Sequence, residues 1–492
     1  MFNRSDESRV FTLPRAILLF FALTTLGFGI FFLLHFTPIF HNIVRSQLIL
    51  SPGTQGYEAW SKPQISTYIR FYLFSVLNPE EVEAGGKPRL EQIGPFVYRE
   101  ELERVDQDFS KFGNVNFRTR KVWYPISKES VSLDTLITTL DIPQFAAAES
   151  VRGKWSEFMM RSTLSWRPSL FTQKTARELL FDGFSDPLLT AGAFFNPDSK
   201  VPLDKFGWFY GRNGTTWADD VIGMATGEQN YTQLGEIKTW KNSTRTHYSG
   251  KCGQLKGSAS GFLPVNLKRT SFDFFSTDIC RPIRFQKSEE FIHNKLPVHK
   301  FSVNPMETFG NESTNPENIC YNTFHPAGIH NSTGCKDAGI LPVFVSLPHF
   351  LDADPSYLKQ FQPGSLNPDP EQHSAYMILQ PDTSIPVQVK MRLQIILQLR
   401  KNENLGRNFE NLSNTFLPVL WFDAGAETTP DLEYTIWFLV NTPSIVKYIG
   451  MVLSSVGLAL CLLFLYVMVK AGRNEREKIV QIKLNDDELE NL

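Results

Sequence analysis

Two long uncharged apolar runs, one near each end, constrain this chain more than any other feature it has. Residues 16–34 and 448–469 contain no Asp, Glu, Lys or Arg, and roughly 20 apolar residues in a helix suffice to cross the hydrocarbon core of a bilayer. No third run of that kind lies between them. A cleaved signal peptide is the rival reading of the first run. Its apolar stretch exceeds the usual ~7–15 residues, and His35-Phe36-Thr37-Pro38 after it offers no small-x-small cleavage site. The expectation is a chain anchored twice.

Flanking charge sets the orientation. Arg4, Arg9 and Arg15 precede the first run, and Lys470, Arg473, Arg476 and Lys478 follow the second; the opposite flanks carry only Arg45 and Lys447. Basic residues gather on the cytoplasmic side of a span. The predicted layout is a cytosolic N-terminus (1–15), a first span (16–34), an exoplasmic or lumenal domain (35–447), a second span (448–469) and a cytosolic tail (470–492). Six acceptor sequons fall in the middle region, at Asn213, Asn230, Asn242, Asn311, Asn331 and Asn411. One match is weak evidence, but the cluster between 213 and 331 supports exposure to the glycosylation machinery. Asn3-Arg-Ser5 also matches and, on this layout, stays bare. Four of the five cysteines, Cys252, Cys280, Cys320 and Cys335, share that region, while Cys461 sits in the second run. No Cys-x-x-Cys occurs, so two disulfides are expected rather than a zinc site, with all three pairings open.

The chemistry inventory points away from catalysis. A net charge of -2 is not the basic excess that a nucleic-acid binder needs. Gly257-Ser-Ala-Ser-Gly261 looks like a nucleophile elbow but places Ala259 where serine must stand. There is no Gly-x-Gly-x-x-Gly, Walker loop or His-Glu-x-x-His, and His325 and His330 lack companions at metal-ligand spacing. No enzyme activity, cofactor or metal is expected.

Strand signals dominate between the anchors. Val387, Val389, Met391, Leu393, Ile395, Leu397 and Leu399 alternate with Gln388, Lys390, Arg392, Gln394 and Gln398, the pattern of a strand with one wet and one buried face. The run from Tyr68 to Leu77 is apolar on both faces and stops at Asn78-Pro79. Helical periodicity is confined to residues 143–192, with a second helix candidate at 172–181. There Val151, Trp155, Phe158 and Met159 share one arc, opposite Lys154, Glu157 and Arg161. An ordinary amphipathic helix with that arc in the core is one reading. The other is a mixed surface in which Arg152, Lys154, Arg161 and Arg167, set among Trp155, Phe158, Met159, Met160, Leu164 and Trp166, attract anionic headgroups and offer apolar area to acyl chains.

Several segments, in order, resemble the class B scavenger receptor family, the group that includes the fatty-acid translocase and the lysosomal integral membrane proteins. They are Asn78-Pro-Glu-Glu-Val82, Ile93-Gly-Pro-Phe-Val-Tyr-Arg-Glu100, Arg177-Glu-Leu-Leu-Phe-Asp-Gly183 with Asp186-Pro187, Phe275-Ser-Thr-Asp-Ile-Cys-Arg281, Ser346-Leu-Pro-His-Phe350 and Pro418-Val-Leu-Trp421. The resemblance implies an α+β fold: two transmembrane helices flanking a large β-barrel-like ectodomain, with an apical helical bundle and an internal lipid tunnel. It implies the pairs Cys252–Cys320 and Cys280–Cys335, with Asn322 in place of a further family cysteine, so that loop 320–335 is less constrained. It places ligand contacts at residues 145–167, with Ser165 where the fatty-acid translocase has an apical lysine and Arg167 supplying a nearby charge. The implied ligands are lipids, fatty acids, sterols or carotenoids, and lipoproteins or apoptotic-cell debris; a homo-oligomer stays open. Two roles follow: a surface receptor that takes up lipid, or a lysosomal or endosomal membrane protein that sorts a protein cargo or exports lipid. Leucines in Asp486-Asp-Glu-Leu-Glu-Asn-Leu492 are not adjacent, as a dileucine sorting signal requires, which favours the plasma membrane.

Overall fold

The structure, a computed structural model, describes residues 12–63, 65–151, 154–189, 204–216, 220–259, 261, 263, 270–321, 324–335 and 341–490. It divides into two units: residues 1–47 with 434–492, and residues 48–433.

The first unit holds the two candidate membrane helices. Helix α1 (Leu13–Phe31) starts with Pro14 in its first turn, where the missing N–H of proline costs nothing. It continues through a π turn at Phe32–Phe36 into α2 (Thr37–Leu48). Pro38 near the start of α2 leaves one carbonyl without its usual donor, and a widened turn accommodates that locally. The C-terminal helix runs without a break from Pro430 to Glu490 and contains Pro443. Both helices extend well past the predicted spans of 16–34 and 448–469. Within this unit they touch through small residues. A Cβ added at Gly29 would lie 2.5 Å from the Ser454 backbone nitrogen, and one at Gly457 would lie 2.5 Å from that of Leu26.

The second unit is a nearly closed antiparallel barrel. Among the described residues the strands of this unit are β1 (Ser66–Val76), β2 (Leu90–Ser110), β3 (Asn114–Pro125), β4 (Leu136–Leu140) and β5 (Phe171–Thr175), which pair as a separate small sheet, β6 (Ile222–Ala225), β7 (Ile237–Trp240) and β8 (Ser271–Ser276). The series continues with β9 (Arg281–His293), β10 (Leu296–Val303), β11 (His330–Asn331), β12 (Val343–Ser346), β13 (Tyr376–Leu379), β14 (Pro386–Leu399) and β15 (Thr415–Glu427). The main sheet runs β7-β6-β3-β2-β1-β15-β14-β13-β10-β9-β8, and β12 also pairs with β14. The open side between β7 and β8 is bridged by one short segment. Ile237 N donates to Gly257 O (3.0 Å) and Phe275 N donates to Ser258 O (2.8 Å).

Strand β14 follows the predicted alternation only in part. A register shift falls between Ile395 and Ile396, and the face expected to be wet is covered: Arg392, Gln394 and Gln398 are buried. Arg392 donates to the carbonyls of Glu371 and Ser374, and Gln394 accepts from His349 N. Loops cross that face and replace its water. The helix candidate at 172–181 is also corrected, since the chain there forms β5, paired with β4, and a single π turn at Glu178–Asp182.

Candidate functional site

Two short helices form a lobe on the ectodomain. Helix α3 (Ile142–Glu149) is capped by Asp141, whose carboxylate accepts from Gln144 N at 3.1 Å, satisfying one of the free donors of the first turn. Helix α4 (Lys154–Leu164) follows. Ile142, Phe145, Ala148, Leu164 and Leu170 pack with Phe344, Ile396, Phe409 and Trp421, and Met160 packs against the same cluster. The inward stripe of α4 therefore contains Met160 and Leu164.

That orientation corrects the amphipathic reading. Phe158 and Met159, expected among the core-facing arc, are 61% and 53% exposed. The buried stripe is rotated by one residue, about 100° around the helix, because Met160 and Leu164 reach the ectodomain core first. Trp166, just past the helix, is 88% exposed. The backbone of Lys154 and Trp155 belongs to α4, whereas Arg152 lies outside the described residues. Three large apolar side chains thus stand in solvent on one short segment.

The arginines separate. Arg161 is exposed, and its guanidinium reaches the Glu403 carbonyl, at 3.5 Å. Arg407 is exposed beside it and donates to the Pro168 carbonyl at 3.3 Å. Among the described residues neither pairs with a carboxylate. Arg167 is different: it bridges Asp141 (3.4 Å) and Asp186 (2.5 Å), both nearly buried. Burial pushes the Asp141 carboxyl up, against the pull of Gln144 N–H and Arg167. Arg167 therefore fastens the lobe through two carboxylates. Arg407 was missed in the sequence; its one signal was the basic run Arg400-Lys401 with Arg407 close behind.

The cysteine region is built around a buried cation. The structure joins Cys252 to Cys320 and Cys280 to Cys335, each with Cα atoms 5.9 Å apart. Beside them Arg281 is 4% exposed. It donates to Asn318 Oδ1 (3.0 Å), faces His330 Nδ1 (3.3 Å) and lies over the Tyr321 ring at 3.8 Å. Burial pushes its guanidinium down to about 10, so it stays charged at neutral pH. Neutral acceptors and a ring face stabilise it at contact distance, and the Asp273 carboxylate favours its charge from farther off. Tyr321 and His330, near the two ends of the loop expected to be loose, are both fixed on it. Most sequon asparagines lie in loops and turns, and Asn331 ends strand β11. Asn230, Asn311 and Asn331 accept from the backbone N–H two residues on, Asn213 clasps the Trp123 backbone, and Asn242 and Asn411 are exposed.

A nearly closed antiparallel barrel, a disulfide-linked wall and two terminal apolar helices fit a scavenger-type membrane protein class. The CD36 family model matches residues 18–468, and the chain belongs to the CD36 family. Lysosome membrane protein 2 of Rattus norvegicus is 28% identical over 86% of this chain and 88% of its own length. Scavenger receptor class B member 1 of Rattus norvegicus is 27% identical over 87% and 84%, and Protein peste of Drosophila melanogaster 28% over 83% and 74%.

Proposed function

We propose that the protein is a plasma-membrane receptor, not an enzyme, that captures anionic lipid particles such as lipoproteins or apoptotic debris at the lobe and passes lipid through the ectodomain toward the bilayer. In this reading both termini are cytosolic and residues 35–447 are extracellular. The observation that carries it is the juxtaposition of exposed Phe158, Met159 and Trp166 with Arg161 and Arg407. Cations recruit an anionic surface from a distance, and apolar side chains then hold it. Fatty acids, sterols or carotenoids are the cargo that such a route carries.

Arg161→Glu with Arg407→Glu tests it. Each basic residue near an anionic surface contributes about 1 kcal/mol, so two reversals should weaken binding of phosphatidylserine liposomes at least about tenfold. The loss should be larger at low salt, because screening sets in beyond ~8 Å at physiological ionic strength. Uptake is normalised to surface protein, and undiminished uptake by the double variant sinks the capture site. Likeness to lysosome membrane protein 2 supports the second reading, a lysosomal or endosomal membrane protein that sorts a protein cargo or exports lipid. Imaging a tag on the cytosolic tail distinguishes the two residences.

A further inference from the structure

Two hairpin tips each present a bulky apolar side chain at a place where the chain leaves the ectodomain. The first joins β2 to β3 through Lys111-Phe112-Gly113. Gly113 has φ +71°, the left-handed conformation that closes a three-residue turn, and Phe112 before it is 78% exposed. Gly113 O accepts from Thr226 N (2.9 Å), and Thr226 O accepts from Leu50 N (3.0 Å). Leu50 follows almost directly on α2, which ends at Leu48.

The second tip joins β9 to β10. Asn294 and Lys295 have φ of 46° and 69°, as in a type I′ turn, and Ile292 and Phe291 are 76% and 37% exposed. Asn294 Nδ2 donates to Glu433 Oε2 at 2.8 Å, and His293 Nε2 lies 3.4 Å from Glu433 Oε1. Glu433 stands in the first turn of the C-terminal helix.

A single exposed apolar residue needs no explanation. Here two occur on stiff hairpins, each tied within one or two hydrogen bonds to a residue that adjoins a membrane helix. Each also has an exposed lysine beside it, Lys111 and Lys295. Apolar tip plus lysine suits the boundary between headgroups and acyl chains, where the ring or branched chain is buried and the ammonium reaches phosphate. The reach is right. No Asp, Glu, Lys or Arg separates Arg15 from Arg45, and at ~1.5 Å per residue that helix covers about 45 Å, a bilayer with its headgroups. Leu50 comes only a few residues after Arg45.

We propose that the tips Lys111–Gly113 and Phe291–Lys295 dip into the outer face of the bilayer, with Phe112 and Ile292 inserted below the headgroups and Lys111 and Lys295 on lipid phosphate. This rests on the reading that residues between the spans lie on one side of the membrane. The test uses the full chain with Cys461→Ser in nanodiscs of phosphatidylcholine and phosphatidylserine, with a nitroxide at Phe112→Cys or at Ile292→Cys. A third label at Leu136→Cys on β4, itself 53% exposed, serves as the reference in water. Insertion of ~5–10 Å should raise the ratio of oxygen to nickel-chelate collisions about threefold or more over the reference at both tips. A ratio equal to that of Leu136→Cys at either tip overturns the proposal. The glycan shift, and terminal tags that resist antibody on the intact cells before extraction, report topology separately, so tips found in water on a correctly oriented chain defeat insertion alone.

Discussion

Arg161 and Arg167 carry the same charge and meet different surroundings. Arg167 holds two nearly buried carboxylates, and breaking a buried pair costs about 3–5 kcal/mol; with Arg167 27% exposed, roughly 2 kcal/mol is expected. Arg167→Ala should therefore lower the thermal midpoint and surface yield of the protein. Arg161→Ala should leave both unchanged and reduce liposome binding, so an equal effect of the two on binding per surface molecule would contradict the assignment. Buried histidines give a second residue-scale prediction. His349 and His373 stack at 4.3 Å, each accepting a backbone N–H at Nδ1, from Asn367 at 3.0 Å and Asp369 at 2.9 Å. Burial pushes them down to about 3 and about 4. The unfolded chain, titrating near 6.5, takes up protons first, so stability falls with pH below about 6.5 and keeps falling toward 4. At about 1.4 kcal/mol per pH unit, each imidazole should lose about 2 kcal/mol between pH 6.5 and 5. Chemical denaturation at both pH values checks this, and His373→Gln should flatten the slope.

At the scale of elements, much was readable from pattern and some was not. The strands over Tyr68–Leu77 and Val387–Leu399 follow from apolar runs bounded by Asn-Pro and charged residues. Alternation in β14 could not reveal that Arg392 and Gln394 would be roofed by loops, because that cover comes from residues far away in sequence. The same holds for α4. Its amphipathic spacing was visible, yet which stripe faces inward depended on where Phe344, Ile396 and Phe409 stand. Arg407 joined the lobe through chain reversal, not through any local motif. The membrane helices supply a testable contact of their own. Gly29 and Gly457 leave no room for a methyl group against Ser454 and Leu26, as close helix packing in lipid requires. Gly29→Leu should lower the fraction of chains that acquire mature glycans, whereas Gly27→Leu, with nothing within 4 Å, should not.

The whole molecule is defined by chain connectivity as much as by the barrel. Endoglycosidase should lower its mass by several glycans, Asn3→Gln should leave that shift untouched, and terminal tags should resist antibody on intact cells. A C-terminal tag reached from outside would overturn the two-anchor layout. The two disulfides interleave along the chain, in the order Cys252, Cys280, Cys320, Cys335, with the first joined to the third and the second to the fourth. A single peptide-bond cut anywhere between Cys252 and Cys335 then always falls inside at least one closed loop, so the two pieces remain one covalent molecule. An ectodomain nicked once by an extracellular or lysosomal protease within this wall would run at full size without reductant and separate only when reduced. For an ectodomain that meets a protease, that connectivity turns an otherwise terminal injury into a silent one.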